Sequence, residues 1–192
     1  EEPKNPKERL DVENLTVIKK DGTKALDNVS FKAYGGEILG IAGISGCGQK
    51  ELLESIAGLQ TTTKKSSILY KPDDLGPQQL VGKTPREIRK LGIALSFVPE
   101  DRLGMGLVGN MDIVDNMMLR SYRKGKTFLL ERKQPKDLAQ KIINDLEVVT
   151  PGASTPVRRL SGGNVQKVLV GREIAASPTV FMAAYPVRGL DN

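Results

Sequence analysis

An apolar run, a glycine-rich loop and a helical period follow one another over residues 37–58, and few folds accommodate that order. Glu37-Ile38-Leu39-Gly40-Ile41-Ala42 is nearly continuously apolar, the composition of a strand buried on both faces of a parallel sheet. Gly43-Ile44-Ser45-Gly46-Cys47-Gly48 follows, and then Leu52, Leu53, Ile56 and Ala57 repeat with the helical period, closed by Gly58. A strand, a glycine-rich loop and a helix in that sequence leave backbone N–H groups bare at the loop and at the start of the helix, where a phosphate binds. A dinucleotide fingerprint needs Gly-x-Gly-x-x-Gly; here Gly46-Cys47-Gly48 is followed three positions on by Glu51, so that reading is weak.

The remaining segments fit an α/β domain around this unit. Residues 1–9 are polar and carry two prolines, as a linker does. Residues 10–18 alternate as a strand, Asp21-Gly22 marks a hairpin turn, and residues 29–33 form the second strand. Residues 67–70 and 92–98 read as strands. Thr84-Pro85-Arg86-Glu87 has Thr at the N-cap, Pro at N1 and Glu at N3, the pattern of a capped helix start. Residues 99–110 are a glycine-bearing loop in which Asp101 and Arg102 read as a surface ion pair, and residues 113–119 are helical, with Met117, Met118 and Leu119 as core. Leu138, Ile142 and Leu146 share one face of an amphipathic surface helix. Residues 179–184 are apolar and read as another buried strand.

A second glycine turn stands at Leu160-Ser161-Gly162-Gly163-Asn164-Val165-Gln166-Lys167, with a helical run over residues 165–176 behind it. It too presents bare amides to a phosphate. Composition bears on what the phosphate belongs to. The chain of 192 residues has a net charge of +6, but its Lys and Arg are spread along the sequence rather than clustered, which speaks for a solvated surface and against nucleic-acid binding. Trp is absent and aromatics make up only 4%, so the core must be aliphatic. The lone Cys47 rules out an internal disulfide and agrees with a reducing compartment. No apolar run approaches the roughly 18 residues of a membrane span, and the acidic, Pro-bearing start is unlike a signal peptide, so a cytoplasmic domain is expected.

The full string Leu160 to Lys167 resembles the signature motif of ATP-binding-cassette (ABC) ATPase domains, in the form found in importers of simple sugars and nucleosides. Other motifs of that family fall in order: a P-loop at residues 43–50, a Q-loop at Val98-Pro99-Glu100-Asp101-Arg102, a Walker B strand at residues 179–186, and a D-loop at Gly189-Leu190-Asp191. Pro-Glu-Asp-Arg and Arg-Gly-Leu-Asp resemble the second of two fused cassettes, and Gly-Cys-Gly-Gln leans slightly toward the nucleoside members. The resemblance implies an α/β P-loop NTPase fold of ABC type spanning residues 10–192, with an antiparallel β layer and a helical subdomain at about residues 112–176. The family continues into a further helix, a strand and a switch histidine; this chain has no histidine, so a domain truncated at its C-terminus is expected.

The resemblance also assigns roles. Gly43, Ser45, Gly46, Cys47, Gly48, Gln49 and Lys50 would line the nucleotide cradle. Ser161, Gly162 and Gly163 would act in trans on ATP held by a partner cassette, Asp191 would bridge the two cassettes, and Glu100 would face transmembrane permease subunits, with a substrate-binding protein engaged indirectly. Several positions depart from a working ATPase. Gln49 and Lys50 stand where Lys and Ser/Thr hold the β/γ-phosphates and Mg²⁺; Ala184-Tyr185 replaces the Asp-Glu of Walker B; Glu100 replaces the Q-loop glutamine; and residues 19–26 hold no aromatic to stack on adenine. Weak or no Mg²⁺ binding at this P-loop is therefore expected, with Mg²⁺ at the partner's site, no metal held by this chain, and little or no hydrolysis by the domain alone. Two other readings share the fold: a nucleotide-binding regulatory module without a transport role, and a soluble ABC ATPase of DNA repair or translation. The first would not need an intact signature, and the second would carry a large insertion or clustered basic surface.

Overall fold

The computed structural model describes residues 6–44, 46–91, 95–98, 101–121 and 132–184, and it divides into two compact units, residues 1–95 and 96–192. In the first, β1 (Glu8–Ile18) and β2 (Lys24–Tyr34) form the expected hairpin, and β3 (Ser67–Tyr70) and β4 (Gln78–Gln79) extend it into an antiparallel sheet of order β2-β1-β3-β4. β1 starts two residues before the expected strand, and β2 is much longer than residues 29–33. Buried side chains run Leu10 and Val12, then Leu15 and Val17. That change of parity is a β-bulge: the register slips between Val12 and Leu15, where Asn14 takes a φ of 50°, a left-handed conformation that Asn tolerates better than most residues. Without the extra residue, one half of the strand would turn its apolar side chains to water.

Helix α1 (Gln49–Ile56) buries Leu52 and Ile56 in this unit, and α2 (Pro85–Lys90) buries Ile88. The start of α2 is the capping box read from the sequence. Thr84 N and Oγ1 both donate to Glu87 Oε2, at 2.8 and 2.7 Å, and Glu87 N donates back to Thr84 Oγ1 at 3.3 Å.

One expectation fails here. Residues 37–42 form no strand, and Ile38, Leu39 and Ile41 are exposed, Ile38 completely. A run that is apolar on both sides becomes a strand only between ladder partners and under covered faces, and among the described residues it has neither.

The second unit carries β5 (Leu95–Val98) paired with β6 (Val180–Ala183), a π-helical turn over Arg102–Gly106, and the helices α3 (Ile113–Ser121), α4 (Lys133–Asp145) and α5 (Gly162–Ala175). Residues 92–94 of the expected strand lie outside the described residues. β6 buries Met182 but exposes Phe181, so it is covered on one face rather than wholly buried. The aliphatic core joins Val98 and Leu107 to Ile113, Val114 and Met117 of α3, Ala139 and Ile142 of α4, and Val165, Val168 and Leu169 of α5. Leu138 and Leu146 pack on its margin, as the amphipathic reading of α4 requires. Leu119 is exposed, against expectation, and the position that goes inward with Met117 is Asn116, which is fully buried.

Candidate functional site

The P-loop lies at the N-terminus of α1. Gly46 and Gly48 have φ of 86° and 93°, and Gly48 is the N-cap. Glycine is required at 48 twice over: the left-handed backbone favours it, and a Cβ would stand 2.3 Å from the Ala25 carbonyl oxygen of β2. The tight turn before it is closed by Cys47 N donating to Ile44 O at 3.2 Å. Cys47 is exposed. The Gln49 carboxamide folds back over the loop, so that a Cβ on Gly43 would meet Gln49 Nε2 at 2.6 Å. Lys50 is directed along its own helix, with Nζ 3.9 Å from Glu54 Oε1, an i,i+4 pair. The cation at this end of the cradle is thus on Lys50 and turned toward Glu54, and Gln49 supplies a neutral amide. Ser45 lies outside the described residues.

These side chains do not fit the magnesium part of an ATP site. Position 50 offers an ammonium where a metal needs an oxygen ligand. The N-terminus of α1 still carries the positive end of the helix dipole, which needs no side-chain charge.

The signature segment lies in the second unit and is built as a helix cap. Ser161 is the N-cap of α5, and Gly162 and Gly163 are its first two residues, so the helix begins three positions before the expected start at Val165. Ser161 Oγ accepts from Asn164 N at 3.4 Å and from Asn164 Nδ2 at 2.9 Å. Asn164 Oδ1 in turn accepts from Val149 N at 2.9 Å, which ties the turn after α4 to the cap. Arg102 Nη1 donates to Gly162 O at 2.8 Å, and a Cβ on Gly162 would stand 3.3 Å from that nitrogen. Ser161 and Gly162 are exposed, while Val165 and Gln166 one turn later are buried. The result is an open helix end with bare amides, a hydroxyl and the positive end of the helix dipole, on a firmly seated helix.

Asp101 and Arg102 do not pair as the sequence reading has them. Asp101 Oδ1 accepts from Gly104 N at 2.8 Å and caps the π-turn, while Arg102 reaches the signature. At the other end of that turn, Arg172 Nη2 donates to Gly106 O at 2.6 Å. The turn is therefore bonded to both ends of α5. Asn164, Arg102 and Arg172 were not picked out for these roles, although Asn164 and Arg102 stand inside the motifs already quoted. Glu100 and Asp191 lie outside the described residues.

Among the described residues, the largest carboxyl shifts are at Glu8 in β1 and at Asp73 just after β3. Hydrogen bonds from Lys71 and Lys32 hold the Glu8 carboxyl down at about 2, and Arg9 and Lys7 do the same for Asp73.

Comparison with known proteins identifies the family. The ABC transporter family matches residues 26–186. The guanosine import ATP-binding protein of Bacillus subtilis is 37% identical over 187 residues, 96% of this chain and 35% of that protein. The xylose import ATP-binding protein of Thermoanaerobacter pseudethanolicus is 38% identical over 185 residues, 95% of this chain and 35% of that protein. The chain thus spans about a third of the length of these curated relatives. Among solved structures, a dimeric ATP-binding cassette in a post-hydrolysis state with ADP and Pi superposes with a TM-score of 0.78 at 24% identity, covering 95% of this chain and 76% of that one. With this fold and these relatives, the chain belongs to the ABC transporter family as an ATP-binding domain homologous to the sugar and nucleoside import ATPases.

Proposed function

We propose that the chain is the second, C-terminal cassette of an importer ATPase for simple sugars or nucleosides, and that its main contribution is its signature. Ser161 and the amides of Gly162 and Gly163 cap the γ-phosphate of ATP held, with Mg²⁺, by the P-loop of a first cassette fused N-terminally. Its own P-loop is a binding-only site that does not hydrolyse ATP. Asp191 bridges the two cassettes, and Glu100 with its loop meets transmembrane permease subunits, which a substrate-binding protein loads. The assembly sits at the cytoplasmic face of the membrane; among the described residues no helix is long and apolar enough to cross it.

The observation that carries this reading is the contrast between the two phosphate-facing helix ends. At α5 the cap is complete and open, with the Ser161 hydroxyl and the Gly162 and Gly163 amides in place. At α1 the cation needed for the β/γ-phosphates is replaced by Gln49, and Lys50 stands where a magnesium ligand belongs. Phosphoryl transfer depends on positioned charge and metal, and this end has lost both. The partner is supported by the dimeric state of the solved cassette and by the relatives' length, which leaves room for a second cassette.

The test is Ser161→Arg in the full-length protein with its permease. Blocking the cap should abolish ATP hydrolysis and uptake of labelled sugar or nucleoside, while Gln49→Ala should leave hydrolysis near its starting rate. Full activity in Ser161→Arg removes the role in trans. Loss of activity in Gln49→Ala shows that this P-loop hydrolyses.

A further inference from the structure

We propose that Asn164 is a positioning residue that orients the Ser161 hydroxyl as a hydrogen-bond donor to a phosphate oxygen. The inference deepens the reading in which the signature acts on a partner's ATP and rests on it.

Two groups around Asn164 can only donate, and they fix its orientation. Val149 N is a backbone N–H, so the Asn164 atom that meets it at 2.9 Å must be the carbonyl oxygen Oδ1. That fixes the amide against a flip and leaves Nδ2, which can only donate, facing Ser161 Oγ at 2.9 Å. The backbone N–H of Asn164 points at the same oxygen from 3.4 Å. A serine hydroxyl has two acceptor lone pairs and one proton. Both lone pairs of Ser161 are addressed from within the chain, and the proton meets no acceptor among the described residues. That leaves the proton for an acceptor arriving at the exposed helix N-terminus.

A hydroxyl held this way recognises acceptors and discriminates against donors. A fully ionised phosphate oxygen, acceptor-only, is the matching ligand, and the charge-assisted bond it forms is shorter and stronger than a neutral one. Preorganisation of the O–H also removes the reorientation that a free hydroxyl would undergo when negative charge builds up on the transferring phosphoryl group. A water molecule at the same place could be met by either face of a free hydroxyl, but only by its oxygen here. The chain of bonds begins at Val149, in the turn after α4, so the polarity of Ser161 is set by the helical unit's own backbone.

The experiment uses the full-length protein and measures steady-state ATPase turnover and KM for Ser161→Ala, Asn164→Asp and the double variant, with thermal unfolding of each. Asn164→Asp replaces the donor by an acceptor, which draws the Ser161 proton inward. We expect turnover to fall about a hundredfold or more, the scale of losing one aimed donor, with KM changed by less than about threefold because the partner P-loop still holds the nucleotide. In the Ser161→Ala background the same substitution should cost little further turnover, since no hydroxyl remains to orient. If Asn164→Asp lowers turnover by the same factor with or without Ser161, Asn164 is only structural and the inference is overturned. If it leaves turnover unchanged while Ser161→Ala is impaired, the inference fails and the signature reading stands. If Ser161→Ala itself is fully active, the signature reading fails, and this inference fails with it.

Discussion

Replacing Asn116 tests how the helical unit holds the segment between its π-turn and α3. Asn116 is completely buried, an unusual place for an amide in a core of aliphatic side chains. Its Oδ1 accepts from Val108 N at 2.8 Å, and Nδ2 donates to Asp112 O at 2.9 Å, Val108 O at 3.1 Å and Met111 O at 3.3 Å. The three carbonyls have other partners: Val108 O accepts from Met111 N, Met111 O from Val157 N and Asp112 O from Asn116 N. Their loss is therefore partial. Among the described residues Val108 N donates only to Asn116. In Asn116→Leu that donor is stranded at a cost of about 1–3 kcal/mol, and the lost Nδ2 bonds add about 1 kcal/mol, giving roughly 2–4 kcal/mol. Against a typical domain stability of about 5–15 kcal/mol that is a large fraction. Asn116→Asp separates the two halves of the amide. One oxygen still serves Val108 N, but the other now faces three carbonyl oxygens and must be protonated to donate. Its pKa is raised on folding, so the variant is most stable below the ordinary carboxyl range and loses stability as pH rises through the folded-state value. Urea unfolding followed by circular dichroism at pH 5 and pH 8, with hydrogen exchange of the Val108 amide, measures both effects. A Leu variant within about 0.5 kcal/mol of the parent, or an Asp variant equally stable at both pH values, refutes the latch.

Two further substitutions probe the first unit. Gly48→Ala combines a left-handed backbone with a Cβ 2.3 Å from Ala25 O; it should destabilise by about 2–4 kcal/mol, and a melting temperature unchanged from the parent would contradict the close approach of α1 to β2. Glu8 and Asp73 have folded pKa values of about 2, below their unfolded values, so their contribution is present above the ordinary carboxyl range and fades as pH falls toward 2. Glu8→Gln with Asp73→Asn should therefore lower stability at neutral pH and make no difference near pH 2; a gap that persists in acid would locate their effect elsewhere than in charge.

What the sequence disclosed, and what it withheld, divide by the range of the interactions. The capping box at Thr84 and Glu87 was legible because all its partners lie within four residues. The hairpin across Asp21-Gly22 was legible for the same reason, and so was the amphipathic face of α4. The strand expected at residues 37–42 depends on ladder partners that periodicity cannot report, and it does not form among the described residues. Asn116 and Asn164 look like ordinary surface polar residues in a string of letters. Only the approach of residues 108–112 to the first, and of Val149 to the second, makes them structural. At the signature the helix starts earlier than its apolar period indicates, because the Ser161 cap holds two glycines, ordinarily turn formers, in its first turn.

The way α5 is seated bears on how the cap at Ser161 keeps its shape. Val165, Gln166, Val168, Leu169, Gly171, Arg172 and Glu173 are all buried, so most of the helix is core and only its first turn is offered to a ligand. The bonds that shape this first turn come from Arg102, from Val149 and from Asn164 of the helix itself. Arg172 fastens the C-terminal half of the helix to Gly106, the far end of the turn that Arg102 begins. All of these residues belong to the unit of residues 96–192, and none belongs to the glycine loop before α1. Among the described residues, the bonds that shape the cap thus come from within its own unit. A helix end built this way can be presented to a phosphate held by another domain, and its link through Arg102 to the turn after β5 makes any displacement of that turn a displacement of the cap.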